Sequence, residues 1–169
     1  VGVEAGREFV EKGELSGLLK LKYKIADRLF FSKLKGQLGL DRLRIPISAA
    51  APIGRDVLEF FLSCDIIIRE VYGQSEDCGP TSVNFPQPGR TKLGSVGLPM
   101  PGVEVKIAED GMYEGEPEGE ILVKGKNVFK GYYKDPEATE ETLKEGWLHS
   151  GDIGKFDEDG FLHIKKKKK

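Results

Sequence analysis

Cysteine is scarce: Cys64 and Cys78 are the only two in 169 residues. Neither belongs to a CxxC or Cys/His cluster, so no disulfide framework and no zinc site is expected, and a reduced intracellular setting is the simpler reading. Long apolar runs are absent too. None approaches the ~20 residues that cross a bilayer, and the opening VGVEAGREFV lacks a signal-peptide pattern. No charge sign dominates: 26 Lys+Arg stand against 28 Asp+Glu, a formal charge of −2. That excludes the strongly basic footprint of a nucleic-acid binder. The chain opens on Val1 and closes on five lysines, which reads as a piece cut from a longer protein.

What is present is a soluble globular composition, 38% apolar and 32% charged, with glycine concentrated after residue 70. Residues 15–34, LSGLLKLKYKIADRLFFSKL, space Leu15, Leu18, Leu19, Ile25, Leu29 and Phe30 as an amphipathic helix, broken near Lys24 and packed on a core. LRIPISAAAP (43–52) reads as a short buried strand entering a small-residue loop. Pro52 opens a helix over 53–63, with Val57, Leu58, Phe61 and Leu62 on one face. CDIIIREVYG (64–73) is the next strand. Strand, helix, strand at this spacing is a βαβ unit with parallel, adjacent strands. Ligands of such sheets lie beyond the carboxyl ends of the strands, where SAAAP and YGQSE both fall.

The pattern changes near residue 80. Residues 80–102 hold five prolines and four glycines and are expected to be mostly loop. VEVKI (103–107) alternates as a strand should, EILVKG (120–125) is a second strand, AEDGMYEGEPEGE between them is a turn, and NVFKGYY (127–133) is a strand or a bend. DPEATEETLKEG is a capped helix. WLHSGDIGKFDEDGFLHI (147–164) reads as a strand, a turn at Asp157–Gly160 and a returning strand.

Two clusters carry chemistry. In YGQSE, Gly73 allows a tight turn and close ligand approach. The Ser75 hydroxyl can donate to a phosphate oxygen, Glu76 offers Mg²⁺ a hard oxygen, and Tyr72 offers a base ring a flat face. The same residues also fit an ordinary turn in which Ser75 caps a short helix and Glu76 decorates it. In GWLHSGD, Asp152 can accept from two ribose hydroxyls or simply steady its own turn. His149, a lone histidine in a strand, is expected to be structural.

The order of the pieces is more specific than any one of them. SAAAP, YGQSE, VGLPMPGVEVKI, GEILVKG, GYY, a Pro-Glu-Ala-Thr helix, GWLHSGD and FDEDGFLHI follow one another in a series that resembles the adenylate-forming superfamily. The likeness runs from about residue 43 to the end. The upstream segment looks most like its long-chain fatty acyl-CoA synthetase branch. The resemblance implies an ATP-dependent ligase: a fatty acid attacks the α-phosphate, giving acyl-adenylate and pyrophosphate, and coenzyme A then takes the acyl group. It assigns Ala50, Ala51, Pro52, Tyr72, Gly73, Ser75 and Asp152 to the nucleotide (ATP or AMP). Tyr72 would stack on adenine and Asp152 would hold the ribose. Ser75 and Glu76 would act at the reacting phosphate, Glu76 through Mg²⁺. Gly119, Glu120, Gly125, Gly131 and Tyr132 would hold the fold, and Trp147 would pack beneath the SGD turn. Nothing here matches the family's phosphate loop or its mobile lysine-bearing domain, and Lys167 falls where the family has arginine. The isolated chain is therefore expected to be inactive.

The fold class implied is α+β. Residues 1–80 would form the helical and βαβ part of a nucleotide-binding subdomain with a short parallel sheet. Residues 81–164 would form an antiparallel barrel-like lobe, and 165–169 a lysine tail. No nucleic-acid partner and no transmembrane segment is expected. Location would be cytoplasmic or peripheral to a membrane, and open strand edges favour self-association. Another adenylate-forming ligase, acting on an aryl, short-chain or amino acid, and a non-catalytic nucleotide-binding module are the competing readings.

Overall fold

The structure is a computed structural model that describes residues 1–108, 112–113 and 116–167. It is α+β, as expected, and divides into two compact units. The first comprises residues 1–70 and 84–94; the second comprises 71–83 and 95–169.

The first unit opens with a helix that sequence reading passed over, α1 (Gly2–Lys12). Gly13, at φ 78°, ends it by returning its N–H to Phe9 O. Glycine lets α1 come close to α4 (Arg55–Ser63): a Cβ on Gly6 would sit 2.3 Å from Leu62 Cδ1. Ala5, Leu58 and Leu62 are buried at that contact, each leucine worth ~1.5–3 kcal/mol of burial. Between them run α2 (Gly17–Ala26), a π-helical turn (Asp27–Phe31) and α3 (Ser32–Gln37). The irregularity is this π-helical turn, three residues after Lys24. This segment does not pack as a core helix. α2 buries no residue, and Leu18, Leu21, Ile25, Leu29 and Phe30 are exposed; Phe31 is the buried residue of the turn.

β1 (Ile47–Ser48) pairs in parallel with Arg69 and Glu70, the start of β2 (Arg69–Gln74). The βαβ unit is therefore present. Its first strand is not the buried one expected, because Ile47 is 60% exposed and, among the described residues, only one edge of β1 is paired. α4 begins at Arg55 with Gly54 as its N-cap, so Pro52 precedes the helix rather than opening it.

The second unit takes β2 onward from Val71. Residues 79–83, expected to be loop, form β3 and pair antiparallel with β2. Proline at the strand's second position escaped the strand pattern. β4 (Leu98–Pro99) pairs with β3. A further sheet has the order β11 (Leu162–Lys167), β10 (Trp147–Phe156), β8 (Gly119–Gly125), β5 (Val103–Ile107), with β9 (Leu143–Lys144) also on β10. The returning strand runs on through Lys167, so three of the terminal lysines are in strand. β6 (Met112–Tyr113) and β7 (Glu116–Pro117) pair with each other; the rest of the turn read at AEDGMYEGEPEGE falls partly outside the described residues. α5 (Pro136–Thr142) is capped by Asp135, whose side chain accepts from Ala138 N–H. NVFKGYY is a bend that ends in a single bridge, Tyr132 to Asp135. The core comprises Tyr72, Ile121, Val123, Leu148 and Leu162. The Trp147 ring lies under Lys106 Nζ at 4.3 Å and Lys124 Nζ at 5.5 Å.

Candidate functional site

Two backbone irregularities in the second unit place the candidate residues. The first is in the β2–β3 ladder. Tyr72 opposes Ser82, yet Gly73 opposes Pro80, which leaves Thr81 as an extra residue on β3. Only glycine fits at position 73, because a Cβ would lie 2.1 Å from Gly79 O. The chain then closes into a 3₁₀ turn, Ser75–Asp77. Its cap is Gln74 with Asp77, not Ser75: Gln74 N–H donates to Asp77 Oδ1 at 3.0 Å. Thr81 donates its hydroxyl to Asp77 Oδ2. Asp77 is completely buried, so its carboxylate is spent on holding the turn.

Ser75 is thereby left exposed, and Glu76 is half-buried. Glu76 is gripped from the 127–132 bend. Phe129 N–H donates to Glu76 O at 2.7 Å, and the Tyr132 hydroxyl donates to Glu76 Oε1 at 2.7 Å. Asn127 Nδ2 adds a bond to Asp77 O at 3.1 Å. The bond to Glu76 is the main reason the Tyr132 hydroxyl is harder to ionise than usual.

The second irregularity is in β10. His149 opposes Leu122 and Ile153 opposes Glu120, so Ser150, Gly151 and Asp152 together face the single residue Ile121. Such a bulge re-aims side chains, and Gly151 makes it possible with φ 70°. Glu120 braces it: Oε1 accepts from Gly151 N–H at 3.0 Å, and Oε2 lies 3.1 Å from His149 Nδ1. Asp152 N–H donates to Ser150 Oγ at 3.1 Å. The Asp152 side chain does not steady its own turn. Its Oδ2 accepts from the Tyr72 hydroxyl at 2.8 Å. Burial, and then the Asp152 charge, push the Tyr72 phenol well above its ordinary value.

The structure therefore brings Tyr72, Ser75, Glu76 and Asp152 into one unit and ties Tyr72 directly to Asp152. Tyr72 is 8% exposed and belongs to the core. Ala50, Ala51 and Pro52 lie in the first unit as an exposed loop, with Ala50 at φ 72°. Sequence reading missed Asp77, and took Glu120 and Tyr132 as fold-holding positions. The available signals were a second acid directly after Glu76 and a carboxylate set against the apolar run of β8. No group of three or more His, Cys, Asp or Glu side chains stands ready to hold a metal among the described residues. One carboxylate is still a fitting donor for Mg²⁺, which usually takes one or two from protein and the rest from phosphate and water.

Residues 11–133 match the family model described as AMP-binding enzyme. The chain belongs to this family. Among its relatives, a long-chain-fatty-acid–CoA ligase of Xenopus laevis is 46% identical over 145 residues, 85% of this chain and 19% of the relative. A long-chain-fatty-acid–CoA ligase of Mycobacterium tuberculosis is 38% identical over 162 residues, 96% of this chain and 25% of the relative. Solved structures agree. MatB of Rhodopseudomonas palustris is 32% identical with a TM-score of 0.67, covering 82% of this chain and 27% of that one. O-succinylbenzoate coenzyme A synthetase of Bacillus subtilis, in complex with ATP and magnesium ion, is 34% identical with a TM-score of 0.63, covering 73% and 26%. The family member described here thus spans 19% and 25% of the two curated relatives.

Proposed function

We propose that this chain is one wall of the nucleotide site of a fatty acyl-CoA ligase. The parent enzyme joins a fatty acid to ATP, releasing pyrophosphate, and passes the acyl group from the adenylate to the thiol of coenzyme A. The observation that carries this reading is the presence of two held acids in one unit: Glu76, half-buried and held by Tyr132, and Asp152, buried on a bulge and held by Tyr72. Fatty-acid specificity draws its support from the names of the relatives.

In this reading Asp152 accepts from the ribose hydroxyls while the Tyr72 hydroxyl fixes one of its oxygens. Adenine stacks on Tyr72 only by displacing some of the packing around that ring. Ser75, exposed, donates to a phosphate oxygen. Glu76 would offer Oε2 to Mg²⁺, since Oε1 is engaged by Tyr132. A bound Mg²⁺ would neutralise charge at the phosphates.

Calorimetric titration of AMP tests the site. The chain is expected to bind AMP, and Asp152→Ala to lose that binding. An unchanged affinity in Asp152→Ala would remove Asp152 from the site, and no binding to either protein would leave a purely structural piece. ATP–pyrophosphate exchange tests activity. The isolated chain is expected to show none with any fatty acid, because charge stabilisation by missing parts is worth several kcal/mol of barrier. Robust exchange would overturn that.

A further inference from the structure

His149 stands three residues before Asp152 on β10, opposite Leu122 of β8. Its side chain is 27% exposed, and that of Glu120 beside it is 7% exposed. His149 Nδ1 lies 3.1 Å from Glu120 Oε2, while Glu120 Oε1 accepts from Gly151 N–H at 3.0 Å. A carboxylate accepts and does not donate. The proton of the His149 bond therefore sits on Nδ1, whether the ring is neutral or charged. Among the described residues, Nε2 has no hydrogen-bond partner. The polar tie of this ring runs to Glu120.

Gly151, at φ 70°, is the residue on which the chain turns between Ser150 and Asp152. Whatever fixes its amide fixes the direction in which the bulge sends Asp152, and Asp152 is sent onto the Tyr72 hydroxyl. A glutamate side chain has several torsions to immobilise. Bonds at both oxygens hold the plane of its carboxylate as one bond cannot. A continuous series of contacts thus runs from His149 through Glu120 and Gly151 to Asp152, all within the second unit.

We propose that His149 is a positioning residue for the nucleotide. Its Nδ1–H holds the Glu120 carboxylate against Gly151 N–H, and the turn so fixed presents Asp152 to the ribose. The role rests on Asp152 holding the ribose. It gives His149 no proton transfer and no contact with the ligand.

Ordinary strand packing is the competing account of His149, and two substitutions of similar shape separate them. In His149→Asn the side-chain amide nitrogen stands where Nδ1 does, one atom beyond Cγ. In His149→Leu a methyl stands there. Packing beside Leu122 favours leucine; holding Glu120 favours asparagine. The measurements are AMP affinity by calorimetry and hydrogen exchange of the Gly151 amide by NMR. His149→Leu is expected to weaken AMP about five-fold or more and to speed Gly151 exchange by a similar factor, the scale of one hydrogen bond to a charged group. His149→Asn is expected to stay within about two-fold of the parent in both. Parent-like AMP affinity in His149→Leu, or an asparagine variant no better than the leucine one, would overturn the proposal. AMP binding absent from the parent, or unchanged in Asp152→Ala, would instead bring down the nucleotide reading itself. Gly151 exchange needs no ligand, so an unaltered rate in His149→Leu overturns the brace in either case. Should His149→Leu fail to fold, the parent decides: with the ring neutral, ¹⁵N spectra must show the Nδ1–H tautomer of His149. The Nε2–H tautomer would leave Glu120 without this donor and overturn the proposal.

Discussion

The Tyr132 hydroxyl donates to Glu76 Oε1 at 2.7 Å across 56 residues of sequence. The same bend sends Phe129 N–H to Glu76 O and Asn127 Nδ2 to Asp77 O, and the Phe129 and Tyr132 rings meet edge-on at 4.9 Å. The bend therefore fixes both the backbone of the Ser75–Asp77 turn and one oxygen of its acid. Removing the hydroxyl alone separates these roles. Tyr132 is partly exposed, so Tyr132→Phe should cost at most about 1 kcal/mol of stability. Glu76, released, should swing. Calorimetry is expected to show ATP binding weakened several-fold with Mg²⁺ and little changed without it. Equal effects in both conditions would mean that Tyr132 does not act through Glu76.

Glu120 does for Asp152 what Tyr132 does for Glu76, but from a buried position. Its carboxylate accepts from Gly151 N–H and contacts His149. Glu120→Ala takes this partner from two part-buried groups, at a cost of up to about 1–3 kcal/mol each. Urea unfolding is expected to show a loss of a few kcal/mol, and AMP affinity to fall as far as in Asp152→Ala. Glu120→Gln, which keeps an acceptor for Gly151, should retain most of both. If Glu120→Ala bound AMP normally, the bulge would not need its brace.

Local patterns were legible where the chain answers to its own residues. The 3.6-residue spacing gave α4, alternation gave β5, the apolar run Ile121–Val123 gave β8, Asp135 and Pro136 gave α5, and the ordered motifs gave the family. What escaped depends on contacts distant in sequence. β3 hides behind Pro80 because its partner strand, not its composition, makes it a strand. The apolar face of α2 reads as a core face, yet it lies bare in a chain that spans 19% of one relative. Tyr132 and Glu120 were visible as motif residues, but nothing local says that their side chains end on Glu76 and Gly151.

The buried phenols make stability depend on alkaline pH. Tyr23 and Tyr72 both have folded pKa values raised above the ordinary ~10, chiefly by burial, with Asp65 and Asp152 adding their charges. A raised value means that the folded form keeps a proton the unfolded form gives up. The stabilisation is complete below about pH 10 and is lost as pH rises beyond it. Urea melts should therefore show a stability plateau up to about pH 10 and a decline above it, with Tyr absorbance changing late and with unfolding. Tyr72→Phe should flatten that decline while lowering stability at neutral pH, since Asp152 loses a donor. A decline just as steep in Tyr72→Phe would place the alkaline sensitivity elsewhere.

We expect the isolated chain to associate with itself. β1 pairs along one edge only, and Leu18, Leu21, Leu29 and Phe30 on the α2 and π-turn segment are each more than half exposed. An apolar surface of this kind drives association, and an open strand edge offers a template for pairing. Lys20, Lys22 and Lys24 interrupt the same helix, so two copies meeting there would oppose like charges. Salt should then strengthen association by screening the lysines, the reverse of an ion-paired interface. Light scattering is expected to give a mass that grows with protein concentration and with NaCl. Leu18→Lys with Leu29→Lys should restore the monomer mass, because both side chains are already in solvent and their loss removes no core. A parent chain that stays monomeric at high concentration and high salt would refute the expectation, and dissociation by salt would assign the contact to charge instead.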